Sequence, residues 1–209
     1  MSKNSLIFRF CKKKYASLFG LDQKSGVEIE EMDPHVSDTD AVRSSIGQGT
    51  NNYAPVQLAR YVTTIANEGN CYDLTLVNEI KNIDGRTVYK SDNVPKNTVD
   101  LTDSQWAVIK QGMRQMVSEH TSPSALINQI NVNVAGKTGT AEEDTTRPDH
   151  ALFVSFAPYE NPEVSVTCVI PHGYTSGNAE ELAGMVYAYM YDPDKLDTLD
   201  ITGNNQMSD

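Results

Sequence analysis

The stretch AGKTGTA, residues 135–141, admits two readings that lead to different folds. In the first, Gly136-Lys137-Thr138 closes a loop that cradles phosphate. Such a loop needs a glycine at position 131 and a helix opening at the motif, because the helix N-terminus holds the anion. Position 131 is Asn131, and Val132 and Val134 run into the motif with the alternation of a strand. The GTAEEDTTRPDH that follows has no apolar stripe and contains Pro148. Both requirements fail. In the second reading the stretch is a strand, so Val132, Val134, Gly136 and Thr138 share one face and Asn133, Ala135, Lys137 and Gly139 the other.

A strand of this composition can hold a carboxylate between the Lys137 ammonium and the hydroxyls of Thr138 and Thr140, through charge-assisted hydrogen bonds. Gly139, with no side chain, lets an extended peptide lie flat and add to the strand edge. An acyl-peptide end suits such a site. The bare Lys-Thr-Gly tripeptide is equally compatible with an ordinary strand end that exposes a lysine, so the flanks decide.

Downstream, ALFVSFAP (151–158) and EVSVTCVI (163–170) predict two further strands joined by YENP. Upstream, APVQLARYVTTIANEG (54–69) predicts a helix. Pro55 suits its first turn, Leu58, Val62, Ile65 and Ala66 form one stripe, and Gly69 stops it. Two β-prone runs in LTLVNEIKNIDGRTVYK (74–90) flank Asp84-Gly85 and predict a hairpin. A second helix, DSQWAVIKQGMRQMVSE (103–119), follows a Thr102/Gln105 capping box, with Trp106, Ile109, Met113 and Met116 as its buried edge. A last helix begins near Asn178, capped by Ser176-Gly177-Asn178, with Leu182, Met185, Val186 and Tyr189 as its apolar stripe. Residues 21–53 read as loop with short extended pieces, and the Asp-rich 192–209 as a disordered tail. The order predicts one α+β domain over 1–191: an antiparallel meander packed by helices.

The 209 residues carry a formal net charge of -11, a sign that repels nucleic acid. No apolar run is long enough to span a bilayer, and MSKNSLIFRFCKKKYASLF is neither a good export signal nor an anchor. Cys11, Cys71 and Cys168 are too few and scattered for a disulfide framework or zinc site, and the four histidines have no metal-ligand spacing. Neither metal nor cofactor is expected. Cys168, within an alternating apolar strand, reads as a buried, inert thiol.

The flanks of the motif resemble class B penicillin-binding proteins in several places and in the right order. Ile46-Gly47-Gln48-Gly49, Pro55, Gln57-Leu58-Ala59, Ala66-Asn67 and Gly69 match one family segment. VAGKTGTAE (134–142) matches the family's motif strand, and His150, Phe153, Ala157-Pro158 and Pro162 match its hairpin. The resemblance covers roughly residues 15 to 191 in one register. It implies a serine-type D,D-transpeptidase fold, an antiparallel sheet sandwiched by helices, that cross-links peptidoglycan stem peptides and is acylated by β-lactams. It also implies that Lys137, Thr138, Gly139 and Thr140 bind the substrate, with the Thr140 N–H as one oxyanion donor. Ala54 and Ser155 stand where the family usually has Thr and Gly.

The reaction implied by the resemblance also needs Ser-x-x-Lys on a helix turn, the serine to attack and the lysine as its base. No serine of the sequence has a lysine three residues later, and Thr87…Lys90 has that spacing only on the predicted hairpin. For the second signature, Ser-x-Asn, Ser2-Lys3-Asn4 has the right order relative to the other segments. Ser91-Asp92-Asn93 and Ser176-Gly177-Asn178 fall too late in the chain. The sequence therefore reads as the C-terminal part of a transpeptidase domain, truncated at its N-terminus, and inactive as it stands. The alternatives are a non-catalytic module that binds peptidoglycan peptides or β-lactams, and a relic without independent function. The parent family is anchored and works at the outer face of the bacterial membrane; this sequence carries no signal or transmembrane segment of its own. Lacking the strands that precede the nucleophile in the family, the last strand is expected to keep an unpaired edge and an uncovered face, an aggregation risk.

Overall fold

The computed structural model describes residues 3–38, 41–120, 126–143 and 145–198. Its centre is an antiparallel sheet of β5 (Ala135–Ala141), β6 (His150–Ala157) and β7 (Val164–Ile170), in that order. The meander follows from short connections between strands adjacent in sequence. Its register pairs Lys137 with Val154 and Val154 with Thr167, and Thr138 with Phe153 and Phe153 with Cys168. Lys137, Gly139, Leu152, Val154 and Val169 therefore share one face, and Thr138, Thr140, Phe153 and Cys168 the other.

The Lys137 face is covered by α3 (Pro55–Ala66), as the stripe of that segment predicts. Val62, Ile65 and Ala66 are buried with Ala135 and Phe156. Ala54 has no side-chain oxygen to cap the helix, but its N–H donates to Gln57 Oε1 at 2.9 Å, the return half of a capping box. The Gln57 amide is fully buried and continues inward, Nε2 donating to Glu31 Oε1 at 2.6 Å and to Met32 O at 3.1 Å.

The opposite face is covered by α5 (Ser176–Tyr191), with a result that differs from the sequence expectation. Ala179, Ala183, Gly184, Tyr187 and Ala188 are the buried side, while Leu182, Val186 and Tyr189 of the predicted stripe are exposed. Small side chains let the helix axis approach the sheet, and the Tyr187 ring fills the remaining space. Hydrophobicity by itself points to the wrong side here. The cap also differs: Thr175 Oγ1 accepts from Gly177 N at 3.4 Å, while Asn178 Nδ2 reaches back to Gly173 O at 2.7 Å.

The second predicted helix, α4 (Asp103–Glu119), has its Thr102/Gln105 capping box. Its buried edge is Trp106, Met113 and Val117; Ile109 is exposed, and Met116 is partly buried against the core. The Asp84-Gly85 hairpin is present as β2 (Glu79–Lys81) and β3 (Thr87–Lys90), both exposed throughout. Three elements were not anticipated, the helix α1 (Lys3–Leu18) and the paired short strands β1 (Asn70–Cys71) and β4 (Asn97–Thr98). A five-residue helix, α2 (Ala41–Ser45), interrupts the expected loop of residues 21–53. The motif strand starts at Ala135 rather than at residue 131. Residues 193–198, in the segment read as tail, form a 3-10 turn whose Leu196 packs against the core; residues 199–209 are outside the described set.

Candidate functional site

The motif strand β5 lies at the edge of its sheet, paired with β6 alone. Its entry is covered by α4, where Arg114 Nη1 donates to Val134 O at 3.2 Å and Nη2 to Asn133 Oδ1 at 3.0 Å. Beyond that point the edge has no strand partner among the described residues. In an antiparallel ladder the backbone groups of alternate residues face alternate sides. Thr140 O accepts a hydrogen bond from outside the sheet, so Thr138 and Thr140 turn their N–H and C=O outward.

The Lys137 side chain starts on the α3 face and bends round the edge. Its Nζ donates to Thr138 O at 2.9 Å and stands 3.5 Å from Thr138 Oγ1. The structure thus brings the lysine head and the first hydroxyl together although their Cβ atoms leave opposite faces of the strand. The Thr140 side chain shares the face of Thr138 and is exposed. A Cβ on Gly139 would meet Leu152 Cβ at 3.5 Å, an ordinary contact, so the interior does not require glycine there. Ser2 of the candidate second signature lies outside the described residues, and for Asn4 only its backbone place near the start of α1 is described.

Beneath Lys137, on the α3 face, is a cavity of about 450 Å³. Its walls are mostly apolar, including Leu58, Tyr61, Leu152 and Val154, with Tyr53 and His150 as polar members. Burial, and after it the Asp22 charge, pushes the Tyr53 hydroxyl up to about 12, so it stays a donor and gives its proton to Asn51 Oδ1 at 3.0 Å. His150 Nδ1 accepts from His172 N at 3.0 Å, which leaves its Nε2 to carry the hydrogen toward Glu143 Oε2, 3.3 Å away. On the opposite face Thr138 borders a second hollow with Gln115, Met116, Glu119 and His120, and His120 Nδ1 is 3.1 Å from the buried Glu180.

One loop reaches the strand edge from outside the sheet. Gly47 and Gly49 have φ of 84° and 99°, a region that side chains disfavour, and between them Gln48 is presented to β5. Gln48 Nε2 donates to Thr140 O at 2.9 Å. Asn51 braces this loop: its Nδ2 donates to Gly47 O and Gln48 O at 3.1 and 3.2 Å. Its Oδ1 accepts from Ser37 N, Tyr53 OH and Lys12 Nζ at 2.9, 3.0 and 3.2 Å. Burial lowers the Lys12 ammonium somewhat, partly offset by Asp38. Sequence reasoning used Gln48 only as part of a matching segment; the paired glycines around it were the sign that it is held out for contact.

Among the described residues no group of three or more His, Cys, Asp or Glu is arranged to hold a metal ion, and no helix is long and apolar enough to cross a membrane.

Residues 12–189 match the family described as the penicillin binding protein transpeptidase domain. Penicillin-binding protein 2B of Streptococcus pneumoniae is 31% identical over 170 residues, 74% of this chain and 25% of its own length. The peptidoglycan D,D-transpeptidase MrdA of Acinetobacter baumannii is 26% identical over 202 residues, 82% of this chain and 29% of its own length. The chain therefore spans roughly a quarter of these curated relatives. Among solved structures, penicillin-binding protein 2B of Streptococcus pneumoniae strain R6 superposes with a TM-score of 0.72 at 28% identity, covering 86% of this chain and 32% of that one. The antiparallel sheet flanked by helices is the arrangement shared with that structure. On the extent of the match and the agreement of fold, the chain belongs to the penicillin-binding protein transpeptidase domain family.

Proposed function

We propose that this chain is the substrate-holding, C-terminal part of a D,D-transpeptidase domain acting in cell-wall synthesis, and that the open edge of β5 takes the end of a peptidoglycan stem peptide or a β-lactam that imitates it. The observation that carries this reading is the edge itself. From Thr138 onward it has outward backbone groups and, among the described residues, no strand partner, and the Lys137 ammonium lies over it beside the Thr138 hydroxyl. An extended peptide can pair with such an edge as an added strand. The ammonium and the Thr138 and Thr140 hydroxyls then hold the terminal carboxylate, and the Thr140 N–H faces the acyl oxygen. Gly139 leaves the approach clear. The whole protein would work on the outer side of the cytoplasmic membrane, where peptidoglycan lies.

The sequence holds no Ser-x-x-Lys, so binding without acylation is expected of the chain as it stands. The test is titration with a diacetyl-lysyl-D-alanyl-D-alanine peptide, followed by calorimetry, alongside incubation with a fluorescent penicillin. Heat that disappears in Lys137→Ala, with no covalent band on a denaturing gel, is the expected result. A covalent band would show a nucleophile that this reading lacks. No heat at millimolar peptide would argue against peptide binding by this chain.

A further inference from the structure

We propose that Gln48 is a built-in competitor of the ligand: its carboxamide occupies the Thr140 carbonyl that an added peptide strand would use, so binding requires Gln48 to leave. This rests on the peptide-binding reading above. A peptide that pairs with the β5 edge must give an N–H to an outward carbonyl, and Thr138 O and Thr140 O are those carbonyls. Both already carry a donor from the chain itself. Lys137 Nζ lies on Thr138 O at 2.9 Å and Gln48 Nε2 on Thr140 O at 2.9 Å. The two donors differ in what a ligand does to them. A ligand carboxylate draws the ammonium away from Thr138 O and replaces that contact with a stronger one. A primary amide gains no comparable partner when it is displaced, so its hydrogen bond opposes binding directly.

The local build supports a held rather than a chance contact. Gln48 is part-buried on a loop whose flanking glycines both take left-handed backbone, and the loop is tied down by Asn51, which donates to the carbonyl of Gln48 itself. Gln48 N donates to Arg43 O at 3.1 Å, so the backbone under the side chain is also anchored. With the backbone fixed, only the side chain has to swing out, which is a rotamer change and not a loop rearrangement. Gln48 thereby sets affinity. It favours ligands that bring both an amide N–H for Thr140 O and a carboxylate for Lys137.

The test compares the wild-type chain, Gln48→Ala and Lys137→Ala for binding of diacetyl-lysyl-D-alanyl-D-alanine, with thermal melts to confirm folding. In parallel, the through-hydrogen-bond coupling between Gln48 Nε2 and the Thr140 carbonyl carbon is measured in isotopically labelled wild type, free and saturated with peptide. Gln48→Ala is expected to bind about three- to tenfold tighter, the gain from removing one net hydrogen bond of competition. The coupling is expected in the free protein and lost in the complex. Equal or weaker binding by Gln48→Ala, or a coupling that survives saturation, overturns the competitor while leaving peptide binding intact. If neither wild type nor Gln48→Ala binds, the peptide-binding reading fails and Gln48 is only a brace.

Discussion

A Cβ on Gly136 would stand 2.8 Å from Phe153 Cε2 and 3.0 Å from Ser155 Cβ, and closer still to Phe153 Cζ. Phe153 and Ser155 are fully buried and have no room to withdraw. Gly136→Ala is therefore expected to destabilise the fold by about 1–3 kcal/mol, the usual cost of overpacking. Gly139→Ala, whose Cβ has space, should leave the urea midpoint nearly unchanged while weakening peptide binding. Equal midpoints for the two variants would contradict the packing account. The buried acid Glu31, beside Ser25 and Gln57, gives a pH test. Burial by itself would raise its carboxyl, but hydrogen bonds from Ser25 and Gln57 and the Arg60 charge together hold it below its ordinary value of 4.5. A carboxyl depressed in the folded state adds stability above its unfolded value, and that stability is lost as pH falls through the folded value. Below about pH 4.5 the wild type should lose stability more steeply than Glu31→Gln, read from denaturant midpoints across the acid range.

The helix α3 shows how one element carries both a core face and a scaffold for irregular chain. Its apolar stripe packs the sheet, while its buried polar side chains organise loops that have no secondary structure of their own. Arg60 is the clearest case. Its guanidinium donates to the carbonyls of Gly20, Gln23 and Lys24 and to Asp73 Oδ1, and its side chain is 1% exposed. Asp73 is half exposed, so most of the cost of losing Arg60 lies in the stranded carbonyls. Arg60→Met should lower stability by about 3 kcal/mol, more than any single surface ion pair here, and should raise protease sensitivity between residues 20 and 24. Little change in the melt would mean that water replaces the guanidinium without penalty. Gln57 does similar work for residues 31 and 32.

At the level of the molecule two surfaces are left over. Among the described residues β7 pairs with β6 alone, although both its faces are packed, by α3 and by α5, and not left uncovered as the sequence led one to expect; the outer side of α5 exposes Leu182, Val186, Tyr189 and Met190. An unpaired strand edge close to an apolar helix face favours self-association. Light scattering from the isolated chain should therefore rise with concentration, and Val186→Lys, at an exposed position of α5, should reduce it without changing the melt. A chain that stays monomeric at high concentration would remove this concern. The helices α3, α4 and α5, the hairpin and the motif strand were legible from residue order alone, because their periodicities, caps and turn residues are local and survive in any context, whereas α1 and α2 were not. So was the choice between a phosphate loop and a strand at residues 135–141, which Asn131 and the valines around it decide. The packed side of α5 was not legible, because small residues that permit close approach carry no hydrophobic signature until the sheet is there to approach. Nor was the hydrogen bond from Gln48, which lies 92 residues from Thr140 in sequence and meets it only in the folded chain. Local chemistry is written in neighbouring residues, whereas the pairing of distant groups exists only once the chain has closed on itself.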